Sequence, residues 1–250
     1  MTIKNETSTT AKHFVARLKT HQSAVEREKT LRYFKTPSNG EADQFIGVRM
    51  GQVFALAKEF ITMTPAEIEK LLENKIHEVR AGACSIMDKQ ARSKKTTPER
   101  RKELYDLYLR RHDRINNWDL VDVCSIHVVG GYLFDKPRKI LYKLARSKNM
   151  WERRTSIVST AFFIRKGDLD DTYKIAELLL ADKEDLVHKA TGWMLRFAGD
   201  KDRPRLLKFL DQHAATMPRV ALRYSIEKLD RKVRDHYLSL KKELKNLDPR

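Results

Sequence analysis

Thr172-Tyr173-Lys174-Ile175-Ala176-Glu177-Leu178-Leu179-Leu180-Ala181 is followed, after a short polar turn, by Asp185-Leu186-Val187-His188-Lys189-Ala190-Thr191-Gly192-Trp193-Met194-Leu195-Arg196-Phe197-Ala198. Both runs space their apolar residues three and four apart, the period of a helix with one buried face. The second run also carries a basic residue near its start. Segments of the same basic-plus-apolar kind begin near Val79-Arg80-Ala81, Trp118-Asp119-Leu120, Trp151-Glu152-Arg153-Arg154, Val187-His188-Lys189 and Arg219-Val220-Ala221. They recur roughly every 31–39 residues, the length of one two-helix solenoid unit. Stacked units of this kind are expected to curve into a right-handed α-solenoid with an extended concave face.

Helix starts punctuate the chain in agreement with this. Thr64-Pro65-Ala66-Glu67 precedes Ile68, Leu71 and Leu72, a capping-box pattern with proline at the first helical position. Thr97-Pro98 opens Leu104-Tyr105-Leu107-Tyr108 in the same way. Asp135-Lys136-Pro137 precedes Ile140-Leu141-Leu144, and Asp202-Arg203-Pro204 precedes Leu206-Leu207-Leu210. Asp43, Asp168, Asp170 and Asp171 fall at or near inferred helix starts, where capping accounts for them. No segment sustains period-two alternation, so the chain reads as all-α. We expect one repeat domain over residues 1–250, with 1–10 lacking fixed structure and 11–60 forming an N-terminal helical cap.

Charge points to the partner. The 250 residues hold 51 Lys+Arg against 34 Asp+Glu, a formal charge of +17, with an ordinary hydrophobic fraction of 41%. Such a field attracts polyanions, of which nucleic acid is the commonest. The second helices bring Arg80, Arg153, Arg154, Lys189, Arg196, Arg219 and Arg223 to one structural position, repeat after repeat. Each alone reads as a solvated surface charge; their recurrence predicts a concave basic face that matches a duplex backbone.

Cys84 and Cys124 lie in apolar helical patterns without a metal spacing, and read as small buried hydrophobes of a reducing compartment. Residues 1–10 lack the apolar core of a secretory signal, and no apolar run approaches membrane-spanning length. A cytoplasmic, nucleoid-associated protein is expected.

Familiar enzymatic constellations are missing. There is no P-loop, GxGxxG, HExxH or GxSxG motif, no Cys/His zinc framework, and no deaminase signature, so neither a metal nor a cofactor is expected. His127 and His188 read as satisfied or exposed helix residues. Asp122 differs. It lies beyond the first turn of Asn117-Trp118-Asp119-Leu120-Val121-Asp122-Val123-Cys124, where Asn116 or Asn117 is a good cap and Asp119 favours the helix dipole. A carboxylate in so apolar a helix is costly unless it is paired or faces a wet groove, and Trp118, four residues earlier, shares its face. On local grounds, Asp122 reads equally as a structural ion-pair partner or as a functional group. Trp193 reads first as a core residue. Yet Lys189 and Arg196, at i−4 and i+3, share its face, the one expected to line the basic groove.

Asn117-Trp118-Asp119-Leu120-Val121-Asp122, Arg154-Thr155-Ser156-Ile157 and Lys189-Ala190-Thr191-Gly192-Trp193-Met194-Leu195-Arg196 together resemble the AlkD-type DNA alkylation repair glycosylases, a family built of HEAT-like repeats. Phe45-Ile46-Gly47-Val48-Arg49, leading into Leu56-Ala57-Lys58, resembles its N-terminal part. The resemblance spans roughly residues 25 to 230, and the Trp-x-x-x-Asp and Lys-Ala-x-Gly-Trp-x-x-Arg elements are specific in combination. It implies that Asp122 is the catalytic carboxylate and that Trp118 and Trp193 flank the lesion's deoxyribose. It further implies that Arg154 and Arg196 contact phosphates, with Arg153 as the neighbouring candidate and Lys189 and Arg219 as further DNA-binding residues.

The substrates it implies are cationic N3- and N7-alkylated purines in duplex DNA; a monomer is expected of a duplex-wrapping solenoid, and no membrane partner. Their bases leave readily, so one carboxylate stabilising an oxocarbenium-like sugar would suffice without general-acid help or base flipping. Two other readings stand beside it: a non-catalytic repeat protein binding distorted or branched DNA, and a scaffold holding an acidic protein in the same groove.

Overall fold

The computed structural model describes residues 9–32, 34 and 43–247, with side chains to residue 240. The expectation of an unstructured beginning falls, for residues 1–8, outside the described residues; Thr10 caps the first helix. Regular structure among the described residues is helical, apart from one isolated parallel bridge between Gln44 and Ile76. The all-α reading and the repeated helix pairs hold.

Backbone contacts gather into two compact units, Met1–Val128 and Val129–Arg250. The first contains α1 (Ala11–Lys19), α2 (Ala24–Leu31), α3 (Met50–Glu59), α4 (Pro65–Leu72), α5 (His77–Arg92), α6 (Pro98–Arg110), a 3₁₀ turn at His112–Arg114, and α7 (Trp118–Ser125). Its centre is α5, which α3, α4, α6 and α7 all touch. Val79, Ala81, Gly82, Ala83, Cys84, Ile86 and Met87 are buried there, so the middle of this helix is covered on all sides, as in a core helix.

The caps explain where helices begin. Thr64 Oγ1 accepts from the Glu67 N–H at 3.4 Å, and Thr97 Oγ1 from the Arg100 N–H at 3.2 Å, each with proline in the first helical turn. The capping box at Thr64 is only half made. Glu67 instead accepts from the Ala11 N–H at 2.7 Å and from Lys70 at 2.5 Å, tying α1 to α4. Ile68, Leu71 and Leu72 are fully buried beneath it, each worth about 1.5–3 kcal/mol of transfer free energy.

The second unit contains α8 (Lys139–Ala145), α9 (Met150–Val158), α10 (Thr160–Arg165), α11 (Asp170–Leu179), α12 (Asp185–Gly199), α13 (Arg203–His213), α14 (Arg219–Ser225) and α15 (Arg231–Leu247). Here α12 is the hub, packed on α9, α10, α11, α13 and α14. Its closest neighbour is set by Gly192. A β-carbon there would stand 2.3 Å from the Ala221 carbonyl oxygen and 2.6 Å from Tyr224 Cβ. Glycine alone lets α12 and α14 approach this closely.

Asp202 caps α13, accepting from the Arg205 N–H at 3.0 Å. The other expected aspartate caps are absent. Asp135 pairs with Lys136 at 2.5 Å, and α8 begins at Lys139 without a side-chain cap. Asp168 and Asp171 both bind Arg138, at 2.6 and 2.7 Å, while Asp170 binds Arg205 at 2.7 Å. These carboxylates join neighbouring helices, an interaction that a local reading of helix starts does not reveal.

Candidate active site

In the first unit, the site begins at the N-terminus of α7. Asn117 adopts extended backbone, and its Oδ1 accepts from the Trp118 N–H at 2.8 Å, which starts the helix. Leu120, Val121 and Cys124 are buried against the core. Trp118, Asp122, Val123 and His127 are half-buried, so Trp118 and Asp122 lie one turn apart on the partly open side of the helix. The Trp118 indole stacks on the Phe34 ring, with centroids 5.8 Å apart and planes at 16°. Phe34 in turn meets Phe45 and His77, each at 4.9 Å.

Beneath this aromatic group lies a buried charge network that the sequence did not disclose. His77 is fully buried; its Nδ1 lies 2.9 Å from Asp43 Oδ2 and its Nε2 lies 2.7 Å from Asp119 Oδ2. Arg80 donates to Asp43 Oδ1 at 2.5 Å, and Asn117 Nδ2 donates to Asp43 Oδ2 at 3.4 Å. Burial pushes the Asp43 carboxyl up, but the hydrogen bonds and charges of His77 and Arg80 outweigh it and hold the group far below the usual carboxylate range. Asp43 is thus no helix cap, and Arg80, expected in the groove, is buried inside the protein. The run His77-Glu78-x-Arg80 at the start of an otherwise apolar helix was the signal that could have shown it.

Glu78, also buried, accepts from the backbone N–H groups of Ile46, Gly47 and Val48 at 2.8–3.3 Å. The chain turns there through Gly47 at φ +74°, pressed on the Ser23 carbonyl and the Arg27 backbone, where a β-carbon would clash. The segment 43–49 is therefore clamped to α5 by both neighbouring acids.

Further along α5 and α7, Cys84 and Cys124 are buried free thiols, and burial, reinforced by the neighbouring Cys84, pushes the Cys124 thiol well up. Asp88 accepts from His127 at 2.7 Å, so His127 is a satisfied histidine.

The second unit holds the remaining expected residues. On α12, Val187, Ala190, Met194, Leu195 and Ala198 are buried, while Lys189, Trp193, Arg196 and Phe197 are half-buried and share one face. Trp193 is therefore not a core residue. Lys189 has no hydrogen-bond or ion-pair partner among the described residues. Arg196 forms an ion pair with Glu227, which follows α14.

On α9 the two adjacent arginines differ. Arg153 donates to both oxygens of Asp182, at 2.5 and 3.1 Å, and to the carbonyls of Ser147 and Lys148. Arg154 is buried, and its Nη1 donates to the Leu186 carbonyl at the start of α12. Arg219 donates to the Leu238 carbonyl at 3.2 Å, tying α14 to α15, while its Nη1 is buried without a partner. His188 is satisfied by the Asp182 carbonyl at 2.7 Å.

Among the described residues, no three His, Cys, Asp or Glu side chains are grouped to hold a metal ion, and no helix is long and apolar enough to cross a membrane.

A family model described as DNA alkylation repair enzyme matches residues 14–229. A solved structure, described as a predicted DNA alkylation repair enzyme from Enterococcus faecalis, aligns with a TM-score of 0.67. The alignment covers 84% of this chain and 98% of that one, at 17% identity. At that identity the likeness bears on the fold. No curated protein matches the chain.

Proposed function

Because the chain belongs to the DNA alkylation repair enzyme family, we propose that it is a DNA glycosylase hydrolysing the N-glycosidic bond of cationic alkylated purines in duplex DNA. The observation that carries this reading is Asp122, a half-buried carboxylate one helical turn from the partly open Trp118 indole, on a helix whose opposite side, Leu120, Val121 and Cys124, is buried in the core.

Alkylation at N3 or N7 places a positive charge on the purine. When the C1′–N bond breaks, its electron pair moves to the base, which leaves neutral; no acid need protonate it. Positive charge develops on the sugar. The Asp122 carboxylate stabilises that charge and orients the water that adds to C1′, taking up the proton the water releases. The Trp118 indole attracts the cationic sugar, worth about 0.5–2 kcal/mol, and the half-buried Trp193 indole on α12 is assigned the same kind of contact with the DNA. Arg154, Arg196, Lys189 and Arg219 hold the backbone, and Arg153, paired with Asp182, fixes α9. The base need not enter a protein pocket, and the protein acts as a monomer without metal or cofactor.

The direct test is to incubate the pure protein with methylated duplex DNA. Release of free 3-methyladenine or 7-methylguanine is expected; duplex that keeps every alkylated base would end the proposal.

Two arginines test the grip on the backbone. Arg154→Ala and Arg196→Ala are each expected to weaken binding to any duplex and to lower the salt slope by about one unit for every phosphate no longer neutralised. Because Glu227 competes with phosphate for Arg196, Glu227→Gln should tighten duplex binding about two- to fivefold, the range of an exposed ion pair. A salt slope untouched by both alanine variants would place DNA on another surface.

A further inference from the structure

We propose that His77 is a positioning residue for the reaction, a doubly hydrogen-bonded imidazolium that fixes the first turn of α7 and hence the Trp118 indole. This rests on the reading of Trp118 and Asp122 as the reacting site. Both ring nitrogens of His77 face carboxylate oxygens, Asp43 at 2.9 Å and Asp119 at 2.7 Å. A carboxylate accepts and does not donate, so both nitrogens must carry hydrogen; only the imidazolium meets that need.

The ring is fully buried, and its two acceptors come from different elements. Asp43 belongs to the segment clamped on α5, and Asp119 is the second residue of α7. Asn117, the cap of α7, donates to that same Asp43. On the aromatic side, Phe34 touches both the His77 and Trp118 rings, and Phe45 lies 4.8 Å from His77. The position of α7 relative to α5 thus runs through one cation.

The charged groups meeting His77 are Asp43 from the extended segment and Asp119 from α7. Arg80, on α5 itself, acts through Asp43, and Glu78 turns to backbone N–H groups. Among the described residues, α3, α4 and α6 give it no ion-pair partner. Burial disfavours the charge, but Asp119 and Asp43 outweigh it and raise the His77 pKa to about 9. A raised folded pKa gives stability that is fully present below the unfolded value, about 6.5, and is lost as pH rises through about 9. The neutral ring keeps one N–H, so one of the two bonds opens.

The test uses the full chain with Trp151→Phe and Trp193→Phe, leaving Trp118 as the sole indole. Its emission is expected to titrate near pH 9 and to lose that step in His77→Gln. In the otherwise native protein, His77→Gln should slow single-turnover release of 7-methylguanine at pH 7.5 by about ten- to a hundredfold, the scale of a small misplacement. Duplex affinity should stay within about threefold, since no phosphate-binding group is touched. Asp119→Asn, which keeps the helix cap, should act in the same direction and serves if His77→Gln does not fold. Emission flat from pH 7 to 10, or excision by His77→Gln at the native rate, overturns the proposal. A native protein that excises nothing overturns the glycosylase reading instead, and the emission titration still decides how Trp118 is held.

Discussion

Asp122→Asn is expected to slow release of 7-methylguanine from duplex DNA by about a hundred- to a thousandfold, the cost of removing one preorganised group facing transition-state charge. The substitution is nearly isosteric, so helix α7 and its contacts through Trp118 and Asp119 persist. What changes is the charge. An amide neither stabilises a developing oxocarbenium ion as a carboxylate does nor takes a proton from water. Duplex affinity should remain within a few-fold, because Asp122 repels phosphate rather than binding it. Single-turnover excision and fluorescence anisotropy on the same duplex separate the two effects. Unchanged excision removes Asp122 from the mechanism and returns it to the structural reading that its sequence context allowed equally.

The largest effect on stability is expected at Asp182. Its side chain is 2% exposed and accepts two hydrogen bonds from Arg153, itself 16% exposed. It also accepts from the Glu184 N–H at 2.9 Å, while its carbonyl accepts from His188. Burial pushes the Asp182 carboxyl up, yet Arg153 and these backbone bonds lower its pKa overall. Its stabilisation is therefore present above the ordinary carboxylate range and lost as pH falls below it.

Asp182→Ala leaves a guanidinium largely out of water and unpaired, at a cost of about 3 kcal/mol. For a chain of this size, that lowers Tm by roughly 6–12 °C. Arg153→Ala should cost a similar amount, and the double variant less than the sum, because one interaction is removed twice. The duplex-binding salt slope of Arg153→Ala should match the native one. A slope lower by a full unit, with Tm unmoved, would make Arg153 a phosphate ligand.

This contrast shows what was legible in the sequence. Thr64-Pro65, Thr97-Pro98 and Asp202-Arg203-Pro204 were readable because a cap and the helix it starts are neighbours in the chain. Lys189, Trp193 and Arg196 were readable as one face because helical spacing alone sets it. Long-range pairing was not. Arg80 and Asp43 meet across 37 residues and Arg153 and Asp182 across 29, so spacing identified each as charged but not as a partner. The sequence could not tell an arginine buried under the site from one offered to DNA, since both recur at the start of second helices. His77 went unnoticed for the same reason: its role exists only where three separate segments converge.

A protein that works where DNA is alkylated is exposed to the same electrophiles as its substrate. Thiols are the softest nucleophiles such reagents meet, and their reactivity depends on access and on thiolate content. This chain has two cysteines, Cys84 and Cys124, both sealed where α5 packs on α7, with the Cys124 thiol held firmly in its protonated form. The packing that builds the core under α7 thus also leaves the protein without a sulfhydryl to surrender to the damage it repairs.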